Sequence, residues 1–158
     1  MPQRLEGSQD AIGIRFAVIV SQYNSFITDR LLDGALEALR AHGAEEQDIL
    51  VIRVPGSFEI PQAARKIAER LEYDAMICLG ALLRGETLHF ELISAECARG
   101  IQGVAAEFGV PLSFGVITAD TTEQALERAG ERSQNKGWEA ALAAIEMANL
   151  FRKLAGDL

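Results

Sequence analysis

The sequence predicts an α/β domain built on a parallel sheet, and three observations carry that reading. Four short apolar runs rich in Val, Ile, Leu and Phe have the look of strands covered on both faces. Between them apolar residues recur at helical spacing. The strand and helix patterns alternate, which implies crossover connections and parallel strands. The chain has 158 residues, about one domain, and is long enough to bury a core.

The elements follow in order. Residues 1–13 are polar and aperiodic and read as a flexible N-terminal arm; residues 14–158 read as one domain. The first strand is Arg15–Val20. In the first helix Leu32, Ala35, Leu36 and Leu39 share a face, and Gly43 is the expected stop. The second strand, Ile49–Val54, leads to a helix carrying Ile60, Ala64, Ile67, Ala68 and Leu71 on one stripe. The third strand is Tyr73–Leu79. Its helix aligns Ile93, Cys97, Ile101, Val104 and Phe108 and ends at Gly109 and Pro111. The fourth strand, Leu112–Ile117, precedes a short helix near Thr121, where Asp120 with Glu123 resembles a capping box. The last helix carries Trp138, Ala141, Leu142, Ile145 and Ala148. Met147, Leu150, Phe151 and Leu154 add apolar surface beyond that stripe, which contacts between copies of the chain would bury.

Composition narrows the function. Hydrophobic residues at 49% and charged residues at 24% are ordinary for a globular protein. The net charge of -8 lacks the basic surplus that nucleic-acid binding needs, so no nucleic-acid partner is expected. No run approaches the roughly 20 apolar residues of a membrane span, and no signal peptide is evident; a cytoplasmic protein is expected. Cys78 and Cys97 make neither a metal spacing nor a disulfide framework and read as core residues.

Ligands of open α/β sheets bind outside the carboxyl ends of the strands. Those ends hold the informative residues here: Ser21–Ser25, Pro55–Glu59, Arg84–His89 and Thr118–Asp120. Tyr23 and Phe58 either stack on a planar heterocycle or staple their loops onto the next helix. Arg84-Gly85-Glu86-Thr87 leads into a helix whose first amides suit an anion, or it simply starts that helix. His89 beside it suits proton transfer, with a plain surface histidine as the alternative. Glu59 either accepts from ring N–H groups or favours a first helical turn. Arg128 and Lys136 are candidate anion holders or solvated surface charges. His42, at a helix end, reads as structural.

At these same segments the chain resembles the 6,7-dimethyl-8-ribityllumazine synthase family of riboflavin biosynthesis. The matching stretches are SQYNSFIT (Ser21–Thr28), VPGSFEIP (Val54–Pro61), GALLRGETLHFELIS (Gly80–Ser94), FGVIT (Phe114–Thr118) and RAGERSQNKGWEAALAAIEMANL (Arg128–Leu150). Their number and order make the resemblance specific. It implies a three-layer flavodoxin-like sandwich, a four-stranded parallel sheet flanked by helices. It implies a transferase that condenses 5-amino-6-(D-ribitylamino)uracil with 3,4-dihydroxy-2-butanone 4-phosphate, releasing phosphate and water, with no metal or organic cofactor.

The resemblance also assigns roles. Tyr23, Ser57, Phe58, Glu59, Ala81, Leu82 and Leu83 take the uracil and its ribityl chain. Glu86 and Thr87 form the turn around the phosphate of the second substrate, and His89 transfers protons. Phe114, Arg128 and Lys136 form a wall supplied by the adjacent subunit, with Phe114 and Lys136 on the uracil and Arg128 on the phosphate. Members assemble as homopentamers; some stack twelve pentamers into a 60-subunit icosahedral shell, and some enclose riboflavin synthase. Three letters depart from the common pattern: Tyr23 where Phe or Trp is frequent, Leu88 where a polar residue is frequent, and Glu86 with a carboxylate beside the phosphate turn. The competing reading is a non-catalytic module that binds flavin or a riboflavin-pathway ligand on the same fold. A receiver domain would need acidic residues after the first strand, where Ser21 and Gln22 stand.

Overall fold

The computed structural model describes residues 1–85 and 88–156. Four parallel strands, β1 (Phe16–Ser21), β2 (Ile49–Val54), β3 (Ala75–Leu83) and β4 (Leu112–Ala119), form one sheet in the order β2-β1-β3-β4. Five helices cover it: α1 (Ser25–Ala41), α2 (Ile60–Glu69), α3 (His89–Phe108), α4 (Thr122–Glu127) and α5 (Lys136–Ala155). This is the α/β sandwich with a four-stranded parallel sheet that the sequence predicts.

Strand alternation sorts the core into two layers. Phe16, Val18 and Val20 of β1, with Ala75, Ile77 and Leu79 of β3, face α1 and α5. Ala17 and Ile19, with Met76 and Cys78, face α2 and α3. All six residues of β1 are buried, so its continuous apolar run follows from cover on both faces. The outer helices α1 and α5 cross closely: a β-carbon on Gly137 would lie 1.9 Å from the Leu31 carbonyl oxygen, so only glycine fits there.

Besides shifts of one or two residues at the ends of β1 and β4 and the start of β3, three features differ from the sequence reading. β3 runs four residues past Leu79, to Leu83, because its far end keeps pairing with β4 up to Leu83↔Ala119. Leu71 is not part of the α2 stripe. The helix ends at Glu69, Leu71 takes a left-handed backbone (φ 56°), and its side chain is 83% exposed. The cap of α4 is Thr121 rather than Asp120: Thr121 Oγ1 accepts from the Gln124 N–H at 3.1 Å. Gln124 Oε1 in turn accepts from the Asp120 N–H at 2.9 Å. The reciprocal arrangement sits one residue later than expected, and the Asp120 carboxylate pairs with Arg84 at 2.6 Å.

The α3 stripe, its glycine stop and the two core cysteines agree with the sequence reading. Cys97, Ile101 and Val104 are buried on α3, and Gly109 ends that helix at φ 64°. Both cysteines are buried and unpaired. His42 caps α1, with Nδ1 2.7 Å from the Ala38 carbonyl. In the N-terminal segment, Asn149 Nδ2 donates to the carbonyls of Ser8 and Asp10 at 3.0 and 2.8 Å. Lys153 Nζ donates to the Glu6 carbonyl at 2.6 Å, so this stretch runs along α5. Among the described residues no helix is long and apolar enough to cross a membrane.

Candidate active site

The sheet order places its switch point between β1 and β3, where the chain reverses the direction in which strands are added. The pairing of β1 with β3 stops at Val20↔Leu79, while β3 continues against β4. Gly80–Leu83 therefore overhang β1 at the carboxyl edge. The loop after β1 turns back to meet that overhang. Its Gln22 N–H donates to the Val54 carbonyl at 2.8 Å and its Tyr23 N–H to the Pro55 carbonyl at 3.0 Å. Asn24 adopts a left-handed backbone (φ 62°), which Asn tolerates better than most residues. Its Nδ2 donates to the Ala81 carbonyl at 2.9 Å, fastening the loop to β3. Tyr23 is left projecting, 71% exposed.

The second wall is the loop and 3₁₀ turn after β2. Ser57 is buried at the start of that turn, Phe58 is exposed and Glu59 is half-buried. Ser57 fits because its neighbour on β3 is Gly80; a β-carbon there would lie 2.4 Å from Ser57 Oγ. Ser21 Oγ lies beside the same point, at 3.3 Å, and is buried without a hydrogen-bond partner among the described residues. Of the two, Ser57 lines a cleft of about 830 Å³.

This one cleft is lined by Tyr23, Ser57, Phe58, Glu59, Ala81, Leu82, Leu83 and His89. Eight of the predicted site residues thus share one hollow, with aromatic and aliphatic walls and a few polar groups, as a planar heterocycle requires. His89 is the first residue of α3 and is exposed at the rim. Glu86 and Thr87, predicted for the phosphate turn, lie outside the described residues.

Phe114, Lys136 and Arg128 lie elsewhere. Phe114 and Lys136 line a second hollow of about 590 Å³ along the edge strand β4, between α3 and α5. The two hollows have no lining residue in common. Arg128 ends α4, and its carbonyl accepts from the Lys136 N–H at 2.8 Å, so the two cations are neighbours on that side. Lys136 Nζ pairs with Glu139 at 2.8 Å. A single chain therefore brings the cleft residues together and leaves these three apart from them.

Sequence reasoning missed several cleft residues. Asn24 stands inside a quoted stretch, but nothing local signals that its amide reaches a residue 57 positions away. Phe90, Leu92 and Ile93 of α3 also line the cleft, because the first turn of that helix leans over it. Arg84, beside the cleft, meets Asp120, Glu91 and Phe90. Hydrogen bonds to Asp120 and then Glu91 raise its already high affinity for its proton. Among the described residues no group of His, Cys, Asp and Glu is placed to hold a metal ion.

Comparison with known proteins gives two findings. The sequence profile of the 6,7-dimethyl-8-ribityllumazine synthase family matches residues 13–152. The chain is 53% identical over 154 residues to the 6,7-dimethyl-8-ribityllumazine synthase of Syntrophus aciditrophicus (strain SB), covering 98% of this chain and 100% of that relative.

Proposed function

The chain belongs to the 6,7-dimethyl-8-ribityllumazine synthase family and performs its condensation in riboflavin biosynthesis, and from that premise we propose how its own residues divide the work. The reaction joins 5-amino-6-(D-ribitylamino)uracil to 3,4-dihydroxy-2-butanone 4-phosphate and releases phosphate and water. The alternative of a non-catalytic ligand-binding module is not favoured.

The uracil ring lies in the cleft between the aromatic faces of Tyr23 and Phe58. Stacking suits a flat, polarised ring, and the Tyr23 hydroxyl reaches solvent from its exposed position. Ser57, Glu59 and the Ala81–Leu83 overhang supply hydrogen bonds and apolar contact to the ring and the ribityl chain. The single observation that supports this best is the convergence of these residues with His89 on one cleft.

The 5-amino group of the uracil attacks the ketone and water leaves to give an imine; loss of a carbon-bound proton expels phosphate and leaves an enol that becomes a ketone; the ribityl-bearing nitrogen closes onto that ketone and a second water leaves. Each step moves protons between oxygen, nitrogen and carbon. His89, at the cleft rim, takes and returns them. Both substrates are intrinsically reactive, so holding them in register supplies much of the rate. His89 adds roughly 10²–10⁴-fold, the usual range for a positioned acid or base.

The phosphate is held by Glu86 and Thr87 together with Arg128 of the adjacent subunit, and Phe114 and Lys136 of that subunit close the uracil side. The separation of the two hollows within one chain supports a shared site. So does the apolar surface left open: Leu88 is 74% and Leu92 64% exposed beside the cleft, and Phe114 49% exposed beside the second hollow. The assembly is a homopentamer in the cytoplasm; a 60-subunit shell and enclosure of riboflavin synthase are the further states its relatives reach. The test is lumazine formation, followed by absorbance from the two named substrates, with the mass of the assembly measured in the same preparation. An active monomer would remove the shared site; a bound flavin with no lumazine formed would return the ligand-binding module.

A further inference from the structure

We propose that Arg84 is a positioning residue for His89, a two-armed strut that fixes the first turn of α3 over the cleft. The proposal rests on His89 being the proton-transfer group.

The anchored end of the strut is the sheet. The Arg84 N–H donates to the Ala119 carbonyl at 2.9 Å, extending the pairing of β3 with β4 by one residue. From this fixed backbone the guanidinium reaches two carboxylates. Nε meets Asp120 at 2.6 Å, at the end of β4. Nη1 meets Glu91, the third residue of α3. The guanidinium carbon also lies 4.7 Å from the centre of the Phe90 ring. The two residues that follow His89 are thus both held by one side chain.

An independent feature shows why α3 needs such a hold. Helix starts leave backbone N–H groups without partners, and a capping side chain usually takes one and stops fraying. The residue before α3 is Leu88, whose own side chain has no capping group. His89, Glu91 and Leu92 are exposed there. The arm to Glu91 and the contact with Phe90 tie this turn to the sheet. A guanidinium is suited to this, because its rigid fork reaches two carboxylates at once.

The same geometry argues against a direct role on substrate phosphate. Both arms of Arg84 already meet carboxylates, which offset its charge. Ion pairs between groups this exposed contribute little to global stability. The strut therefore acts on local position, and its loss should be visible in turnover more than in unfolding.

The experiment is a double-mutant cycle on the assembled enzyme, with Arg84→Ala and His89→Ala alone and together, plus Arg84→Lys. Arg84→Ala is expected to lower kcat about tenfold, part of the roughly 10²–10⁴-fold that a placed acid or base supplies. KM for both substrates and the unfolding midpoint should stay near the parent values. Arg84→Lys, which keeps the charge but meets one carboxylate at a time, should recover part of kcat. In the His89→Ala background the loss of Arg84 should change kcat less than about twofold, as expected for residues acting through one another. An equal loss in both backgrounds would overturn the proposal, as would a rise in KM for the butanone phosphate at unchanged kcat. A large drop in the unfolding midpoint with no rescue by lysine would overturn it too, by making Arg84 merely structural. If His89→Ala alone keeps the parent kcat, the reading of His89 fails first, and the strut has nothing to position.

Discussion

Gly80→Ala probes, with one added methyl, the backing of Ser57, which lines the cleft. The new β-carbon would lie 2.4 Å from Ser57 Oγ, 3.3 Å from Ser21 Oγ and 3.4 Å from Ile60 Cδ1. Comfortable contacts between such atoms begin near about 3.5 Å, so Ser57 must give way by roughly 1 Å. The methyl cannot move back, because Ser21 and Ile60 already stand at contact distance. Ser57 can turn its hydroxyl aside or push the 3₁₀ turn outward with Phe58 and Glu59. Overpacking of this kind costs about 1–3 kcal/mol of stability, and a rotatable hydroxyl puts the value at the low end. The effect on the reaction is the larger one. A displacement on the order of 1 Å in a positioning wall costs up to about 10²-fold in rate. We expect kcat/KM for the uracil to fall about tenfold, equivalent to about 1.4 kcal/mol. KM for the butanone phosphate should be unmoved, because Ser57 is proposed to hold the other substrate. Steady-state rates with each substrate varied in turn, beside a denaturant titration, measure all three quantities. Parent kinetics and parent stability together would mean that Gly80 and Ser57 do not meet as described.

Three further outcomes are expected. His89→Ala slows turnover by roughly 10²–10⁴-fold at saturating substrates without abolishing it, because orientation of the two reactants survives; an unchanged kcat would remove His89 from the chemistry. Arg128→Ala raises KM for the butanone phosphate and leaves that for the uracil in place; the reverse pattern would put the phosphate elsewhere. Burial holds the Cys97 proton up to about 11 and pushes the Cys78 thiol higher still, so neither reacts with a disulfide reagent at neutral pH until the chain unfolds. The unfolded chain releases thiol protons near roughly 8.5 while the folded one keeps them. It then binds fewer protons than the folded chain, so stability falls as pH rises above that value. Rapid labelling of the folded protein would contradict the burial of both thiols.

The parts of the structure legible in the sequence are those that local pattern determines. Val18, Ile19 and Ile77 lie in apolar runs that only a doubly covered strand accommodates, and the helical stripes of α1 and α5 repeat over enough turns to be unmistakable. The segments after each strand could be named because topology sends ligands to that edge. What could not be read depends on long-range pairing. Gly80 looks like the end of a strand, yet pairing with β4 carries β3 on to Leu83, and that overhang becomes the cleft wall. Asn24 looks like a turn residue, yet its amide closes the cleft against Ala81. Asp120 looks like a helix cap, yet its carboxylate meets Arg84, and Thr121 takes the capping role. Leu71 continues a stripe in sequence but falls past the helix end in space. The assignment of Phe114, Arg128 and Lys136 to a neighbour's wall comes only from the family resemblance, since nothing in spacing distinguishes a wall of one's own subunit from a wall lent to a neighbour.

The claim that the site is completed by a neighbour is tested most directly by complementation. His89→Ala and Arg128→Ala subunits, each impaired as a pure assembly, are unfolded together, reassembled as an equal mixture and assayed at limiting butanone phosphate. If imidazole and guanidinium come from adjacent subunits, random rings hold intact sites at about one position in four, and activity rises well above either parent. Activity equal to the average of the two parent assemblies would mean that each chain supplies both groups to its own site, and would contradict the account.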